Sequence, residues 1–192
     1  SPPRVTAILP RSRLVAGSMF DLHVDEVGVT WDFTRPQDRK RAWERIRAKE
    51  PFLVIGSPPG TMFSQVNLNA NKMGKTEWER RRREAEVLLI CAVAVYTLQV
   101  QAGRHFLHEH PAGATSWNHP AVARLLARPG VDAVVAHMCE FGMKTSAEGG
   151  AMASAKKTTR FLSASPAIFE ALSRRCRGDH DHAPLRGGTR AK

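Results

Sequence analysis

The sequence predicts an α/β protein with a mostly parallel sheet inside a three-layer α/β/α sandwich. Short apolar runs that are typical of strands alternate along the chain with longer stretches that are typical of helices. Proline, glycine and helix-capping residues separate these segments, and no segment is repeated. With 192 residues, 42% of them hydrophobic, the chain is long enough to build a core.

Capping signals and apolar runs predict five elements in the first half of the chain. Pro36 lies inside a Thr-Arg-Pro-Gln capping box and therefore marks the start of a helix. The apolar run at 52–55 breaks into Gly-Ser-Pro-Pro, which is typical of a strand that opens into a rigid loop. A second capping box at Thr76 starts the longest helix, whose second half is apolar and is expected to be buried. These predictions are a helix at 4–14, a strand at 18–22, a helix at 36–49, a strand at 52–55 and a helix at 76–102.

Proline and glycine also punctuate the second half of the chain. Pro111 ends a strand, and Pro129 with Gly130 ends a short helix. The predictions here are a strand at 105–111, a helix at 120–127, a strand at 131–138, a small-residue loop at 146–155, a strand at 159–163 and a helix at 166–174. We divide the chain into an α/β core at 1–165 and, at 166–192, a C-terminal helix with a basic, histidine-containing tail.

The charge of the chain favours a polyanionic partner. Twenty-nine Lys and Arg against eighteen Asp and Glu give a net charge of +11, which indicates nucleic acid as the binding partner. The positive charge is concentrated in three clusters, at 80–83, 156–160 and 174–177.

Composition also suggests where the protein works. Its three widely spaced cysteines indicate reduced thiols rather than a disulfide framework. The N-terminus does not read as a signal peptide, and no apolar run approaches the ~18 residues of a membrane span. We therefore expect an intracellular protein, in the nucleus if it binds DNA, with no membrane partner. The sequence leaves the oligomeric state open.

Two short motifs carry a family resemblance. Residues 58–64, Pro-Pro-Gly-Thr-Met-Phe-Ser, follow the strand at 52–55. They resemble the catalytic loop of cytosine-C5 DNA methyltransferases, in which Pro-Pro-Cys is followed by a polar residue, any residue and Phe-Ser. Gly60 stands where that family has its nucleophilic cysteine. Glu109 is similarly placed to the family's Glu-Asn glutamate, which contacts the Watson–Crick edge of a flipped cytosine, and His110 replaces the asparagine.

A third segment is similar to the small retroelement and phage-type members of that family. Those proteins have a Lys-Pro-Thr-Arg-Phe strand, and this chain has Lys157-Thr158-Thr159-Arg160-Phe161. The resemblance implies a Rossmann-like methyltransferase core and favours DNA over RNA as the expected partner. Together with the positive charge clusters, it predicts nucleic-acid contacts by Ser64, Arg81, Lys156, Lys157 and Arg160.

The resemblance further implies S-adenosylmethionine as a cofactor. Asp21 would bind its ribose, Asp32 its adenine amino group, and Pro58 would line the cofactor site. The family's glycine-rich loop is missing from the start of this chain, where Ser1-Pro2-Pro3-Arg4 stands. Cofactor binding is therefore predicted to be weakened or lost.

Gly60 determines what chemistry remains. In the C5 reaction a cysteine thiolate adds to C6 of the base and makes C5 nucleophilic, and glycine has no side chain to do this. We predict a catalytically impaired, methyltransferase-like pseudoenzyme in which Gly60 allows close approach of a ligand or positive φ. One alternative is a non-catalytic nucleic-acid-binding module derived from a retroelement polyprotein. Another is an active enzyme that uses Thr61 or Ser64 as nucleophile, with His108 or His110 as base.

Histidines form two further groups. Cys176, His180 and His182 lie within seven residues and would bind zinc if Cys139 or another group supplied a fourth ligand. The alternative is a solvated tail without metal. His105, His108 and His110 are expected to share one strand face and to form a wall of the active site.

Overall fold

The computed structural model describes residues 15–21, 28–64, 73–147 and 150–184. The chain divides into two compact units, residues 1–52 and residues 53–192. The helix predicted at 4–14 lies outside the described residues. Residues 18–21, predicted as strand, have no regular secondary structure.

The first unit contains helix α1, Pro36–Lys49, where the sequence predicted it. Pro36 occupies the first turn, as expected, but the capping box is wrong because Arg35 is the N-cap and makes no side-chain capping bond. The Thr34 hydroxyl instead donates to the Asp32 carboxylate, 2.6 Å away. Trp31 is buried beneath the Arg41 guanidinium, which lies 4.3 Å from its ring centroid.

The second unit holds the remaining helices and the strands of the described chain. They are β1 Leu53–Gly56, α2 Lys75–Gln101, β2 His105–Pro111, α3 Pro120–Leu126, β3 Asp132–His137, β4 Lys144–Ser146, β5 Met152–Ser154, β6 Thr158–Ser163 and α4 Pro166–Leu172. Short 3-10 turns lie at Thr61–Phe63, Thr115–Asn118 and Met138–Phe141. Helix α2 begins after Gly74 without a side-chain cap, so the second capping box is also wrong.

The main sheet is mixed, with strand order β1-β2-β6-β3. Strands β1 and β2 are parallel, whereas β6 is antiparallel to both of its neighbours. The prediction of an α/β fold is confirmed, and that of a mostly parallel sheet is wrong. The reason is that β6 inserts between β2 and β3 in the opposite direction, while β1, β2 and β3 all point the same way. A β4–β5 hairpin precedes β6 and occupies much of the predicted loop.

Helix α2 packs against β1 and β2 and also contacts α3. Alternate residues of β2 are buried, and Phe106 joins Tyr96 and Leu89 in the core cluster. Gly56 is required at the end of β1, because a Cβ there would lie 2.0 Å from the Tyr96 hydroxyl oxygen. Contrary to expectation, α2 is long and apolar enough to cross a membrane by length and composition alone, with a third of its apolar stretch buried.

Candidate functional site

The ends of β1 and β2 create a cavity of about 360 Å³. The two strands are parallel and paired as far as Gly56 and His108, so the loop after β1 and the end of β2 meet at one edge of the sheet. Such an edge is where open α/β sheets bind ligands. The residues lining the cavity are Ser57, Pro58, Gly60, Thr61, Ser64, Glu109, His110, Pro111 and Lys157.

Glu109 is the acidic residue of this cavity. One carboxylate oxygen accepts a 2.6 Å hydrogen bond from the Ser57 hydroxyl, and the other accepts from the Lys157 ammonium at 3.1 Å. The structure therefore brings together the Pro-Pro loop, the glutamate and the lysine that the motifs singled out separately. Sequence reasoning missed Ser57, whose hydroxyl links the loop to β2.

His110 links the Pro-Pro loop to the turn at Ser116. Its Nε2 lies 2.7 Å from the Pro58 carbonyl oxygen, and its Nδ1 lies 2.6 Å from the Ser116 hydroxyl. Because a carbonyl only accepts, Nε2 carries the proton and Nδ1 accepts from Ser116. Burial lowers the pKa of His110, which favours this neutral ring.

Two more side chains, both missed from the sequence, fix the loop to its surroundings. The Arg82 guanidinium donates to the Met62 carbonyl at 2.8 Å and lies 4.5 Å from the centroid of the Phe63 ring. The Thr115 hydroxyl donates to the Phe63 carbonyl at 3.3 Å. Phe63 itself is fully buried in the core. Side chains from α2, from β2 and from the turn after β2 thus bond to the carbonyls of Met62, Pro58 and Phe63. These contacts fix the conformation of the loop.

Gly60 has an ordinary helical conformation, with φ −82° and ψ −5°. Of the two possibilities that glycine allows here, close approach of a ligand and positive φ, the backbone does not adopt the second. A Cβ at this position would meet Pro111 at 3.5 Å and His110 at 3.9 Å, which are normal van der Waals distances. The site therefore has room for the side chain that glycine lacks.

The expected wall of three histidines is wrong, because residues three apart on a strand point to opposite faces. His108 lies in the core, 1% exposed, with Tyr96 and Trp117 against its ring. Burial lowers its pKa to about 3, so it does not act as a base near neutral pH. His105 lies on the opposite face of β2, the face of Glu109.

The predicted nucleic-acid contacts have different surroundings. Ser64 and Lys157 line the cavity, and the Lys156 side chain is exposed. Arg81 pairs with Glu77 along α2 at 2.7 Å. The guanidinium of Arg160 stacks 4.7 Å from the Trp117 ring centroid.

The predicted cofactor residues fall in both units. Asp21 and Asp32 belong to the first unit and Pro58 to the second. The Asp32 carboxylate accepts hydrogen bonds from the Thr34 hydroxyl and backbone amide, and these bonds lower its pKa. The Asp21 carbonyl accepts from the backbone amide of Trp31.

A second cluster brings together the three residues predicted to bind zinc. The ligand atoms of Cys176, His180 and His182 lie within 4.8 Å of one another and of the Cys139 sulfur.

Comparisons with protein-family models, with curated protein sequences and with solved structures give no significant match for this chain.

Proposed function

We propose that this chain is a cytosine-C5 DNA methyltransferase-like domain of Rossmann type that binds an unpaired or extruded cytosine and does not methylate it. The observation that carries the proposal is the Glu109 carboxylate, held by Ser57 and Lys157 at the cavity formed by the Pro-Pro loop. The motifs support a relation to the methyltransferase family, and the cavity beside Glu109 supports base binding at this site.

Glu109 suits the Watson–Crick edge of cytosine. The exocyclic N4 amino group of cytosine donates hydrogen bonds, and glutamate is a typical acceptor for it. Each carboxylate oxygen keeps a lone pair beyond the one used by Ser57 or Lys157. Thymine and uracil carry a carbonyl at the same position, which a carboxylate repels.

The remaining lining fits a base and its phosphate. Pro58 and Pro111 give the cavity apolar walls, and its volume is at the lower end of small-ligand sites, which span about 300–1,000 Å³. Lys157 lines the cavity, and its exposed chain neighbour Lys156 offers further positive charge to a phosphate backbone. Enzymes that act on a base read it in such a pocket after extrusion.

Gly60 supports binding without turnover. The C5 reaction needs a nucleophile at this position to add to C6, and neither His108 in the core nor His110 on the Pro58 carbonyl suits the base that a serine or threonine nucleophile needs. Labelled methyl transfer from S-adenosylmethionine is expected to be undetectable with this chain. Gly60→Cys, with Gly60→Ala as its control, tests whether the missing thiol alone prevents the reaction.

The second candidate function is a nucleic-acid-binding module that has no cofactor. It is favoured by Asp32, whose carboxylate is engaged by Thr34 within its own unit. Calorimetric titration with S-adenosylmethionine separates the candidates, because binding of any strength, even weakened, is expected only of the first.

The experiment that tests the base pocket compares Glu109→Gln with Glu170→Gln. Both substitutions remove one negative charge, so both change general attraction to phosphate equally, but Glu170 lies on the exposed surface of α4. Binding of a single strand containing one cytosine is measured by fluorescence anisotropy. Glu109→Gln is expected to weaken binding about fivefold or more relative to Glu170→Gln.

The melting temperatures of the same two variants provide the check. If Glu109 serves only to tie Ser57 and Lys157 together, Glu109→Gln lowers the melting temperature and leaves cytosine binding equal to that of Glu170→Gln. That result would contradict the proposal.

A further inference from the structure

Four side chains with metal-binding atoms meet at the end of β3, and we call them the Cys2His2 cluster. Cys139 comes from the 3-10 turn after β3, and Cys176, His180 and His182 come from the tail after α4. All four ligand atoms lie within 4.8 Å of one another. Cys139 is nearly buried, and the other three are partly buried.

The distances within the Cys2His2 cluster match a tetrahedral zinc site. Zinc bonds of about 2.3 Å to sulfur and about 2.0–2.1 Å to nitrogen place neighbouring ligand atoms roughly 3.3–3.8 Å apart. His182 Nε2 lies 3.4 Å from both cysteine sulfurs, and His180 Nε2 lies 3.8 Å from Cys176 Sγ. These three distances are therefore those of ligands around one zinc ion, and the remaining pairs of ligand atoms lie within 4.8 Å.

Neighbouring groups orient the ligands. His180 Nδ1 lies 2.8 Å from an Asp179 carboxylate oxygen, which turns Nε2 toward the centre of the cluster. The Gly178 amide, in a turn with φ +79°, donates to the Cys176 sulfur at 3.3 Å. A carboxylate behind a histidine ligand and an amide directed at a sulfur are the outer contacts that metal sites use.

The tail is also positioned by backbone contacts before and after the ligands. The His137 amide donates to the Arg174 carbonyl, and the Cys176 amide donates to His137 Nδ1, each at 2.9 Å. After the last ligand, the Ala183 amide donates to the Ser154 carbonyl. The cluster is thus framed by the sheet and by the β4–β5 hairpin.

We propose that Cys139, Cys176, His180 and His182 bind one zinc ion that fastens the tail to the end of β3. Thiolate and imidazole ligands select zinc over calcium or magnesium. All four coordination positions are filled by side chains, so the site is structural and has no open position for catalysis.

The metal would also stabilise the backbone of the pocket lysine. Met138, in the Cys139 turn, donates its amide to the Lys157 carbonyl at 3.0 Å. The zinc proposal does not depend on the proposed function, since the cluster lies outside the residues that line the cavity.

Metal binding to the purified, reduced chain tests the proposal. We expect one zinc per chain, and titration with Co²⁺ in its place should give the charge-transfer absorption of thiolate–cobalt bonds. The melting temperature should rise by roughly 5–10 °C with zinc at a hundredfold excess over Kd and fall again with chelator.

Two serine variants distinguish the cluster from adventitious binding. Cys176→Ser, in the partly exposed tail, should lose the cobalt band and at least tenfold in zinc affinity, whereas Cys91→Ser, in α2, should behave like the unaltered chain. Circular dichroism verifies that both variants fold. If Cys176→Ser does not fold, His180→Ala replaces it as the tail variant. Equal zinc binding by the tail and Cys91 variants, absence of the cobalt band, or a Cys139–Cys176 disulfide formed in the presence of zinc would overturn the proposal.

Discussion

Gly60 lies in a loop whose backbone does not need glycine. Its φ and ψ are those of a helix, and glycine there leaves the unfolded chain more conformational freedom than any other residue would. The consequence is that the position tolerates the side chain required for C5 chemistry. Gly60 removes the nucleophilic sulfur that the family's cysteine would supply, and it does not alter the conformation of the loop.

The first prediction concerns stability at this residue. Gly60→Ala and Gly60→Cys should each raise the free energy of unfolding by about 0.4–1 kcal/mol, because a Cβ restricts the unfolded chain and meets only ordinary contacts here. Gly142→Ala is the control, since Gly142 has φ +77° and should lose about 1 kcal/mol or more. Urea unfolding measures all three, and a loss of stability in Gly60→Ala would contradict the described loop geometry.

Strand β2 carries the polar residues of the site on both of its faces. His108 and His110 face the core, and His110 also bonds to the Pro58 carbonyl of the loop, while Glu109 faces the cavity. The sequence pattern was sufficient to predict this strand and its glutamate. It could not predict Ser57, Arg82 and Thr115 as partners, because these contacts join segments that are far apart in the chain.

The second prediction concerns the buried histidines of β2. The pKa of His108 is lowered from 6.5 to about 3, so between these values the unfolded chain binds a proton that the folded chain does not. Stability should therefore fall as the pH is lowered below about 6.5, by about 1.4 kcal/mol per pH unit for this residue. His110 contributes in the same direction.

Urea unfolding between about pH 6.5 and pH 5 measures this dependence, which amounts to about 2 kcal/mol for His108 alone. His108→Phe keeps an aromatic ring between Tyr96 and Trp117 and removes the titrating group. Its stability should depend less steeply on pH than that of the unaltered chain. Identical slopes would show that His108 does not titrate as its burial implies.

Elements bounded by a proline were predicted well, and short polar elements were not. The predicted strand at 105–111 and helix at 36–49 match β2 and α1. The β4–β5 hairpin was missed because its strands consist of small and polar residues, Lys144–Ser146 and Met152–Ser154. The direction of β6 was missed because local patterns do not specify which strands pair.

At the scale of the whole molecule, the positively charged side chains differ in how free they are to contact phosphate. Arg80 is paired with both Glu77 and Glu84 along α2, whereas Lys156 is exposed.

The sequence spacing was sufficient to predict Cys176, His180 and His182 as zinc ligands. It could not decide whether Cys139 was the fourth ligand, because Cys139 lies 37 residues before Cys176 and only the fold brings the two together.

The third prediction concerns salt. Nucleic-acid binding should weaken with rising salt, and Lys156→Ala should reduce the slope of log affinity against log salt by about 0.7–0.9 for one lost phosphate contact. Arg80→Ala is the matched control, because Glu77 and Glu84 already compensate its charge, and its slope should change less. Equal changes in the two variants would mean that the general charge of the chain, rather than a phosphate contact by Lys156, accounts for the salt dependence.

The measurement that tests the central claim most directly is the affinity of the unaltered chain for two single strands that differ in one base. Replacing the only cytosine of a strand by uracil keeps the size of the ring and exchanges the N4 amino donor for a carbonyl facing Glu109. The account predicts that the cytosine strand binds roughly tenfold more tightly, or more. Equal affinity for the two strands would contradict it.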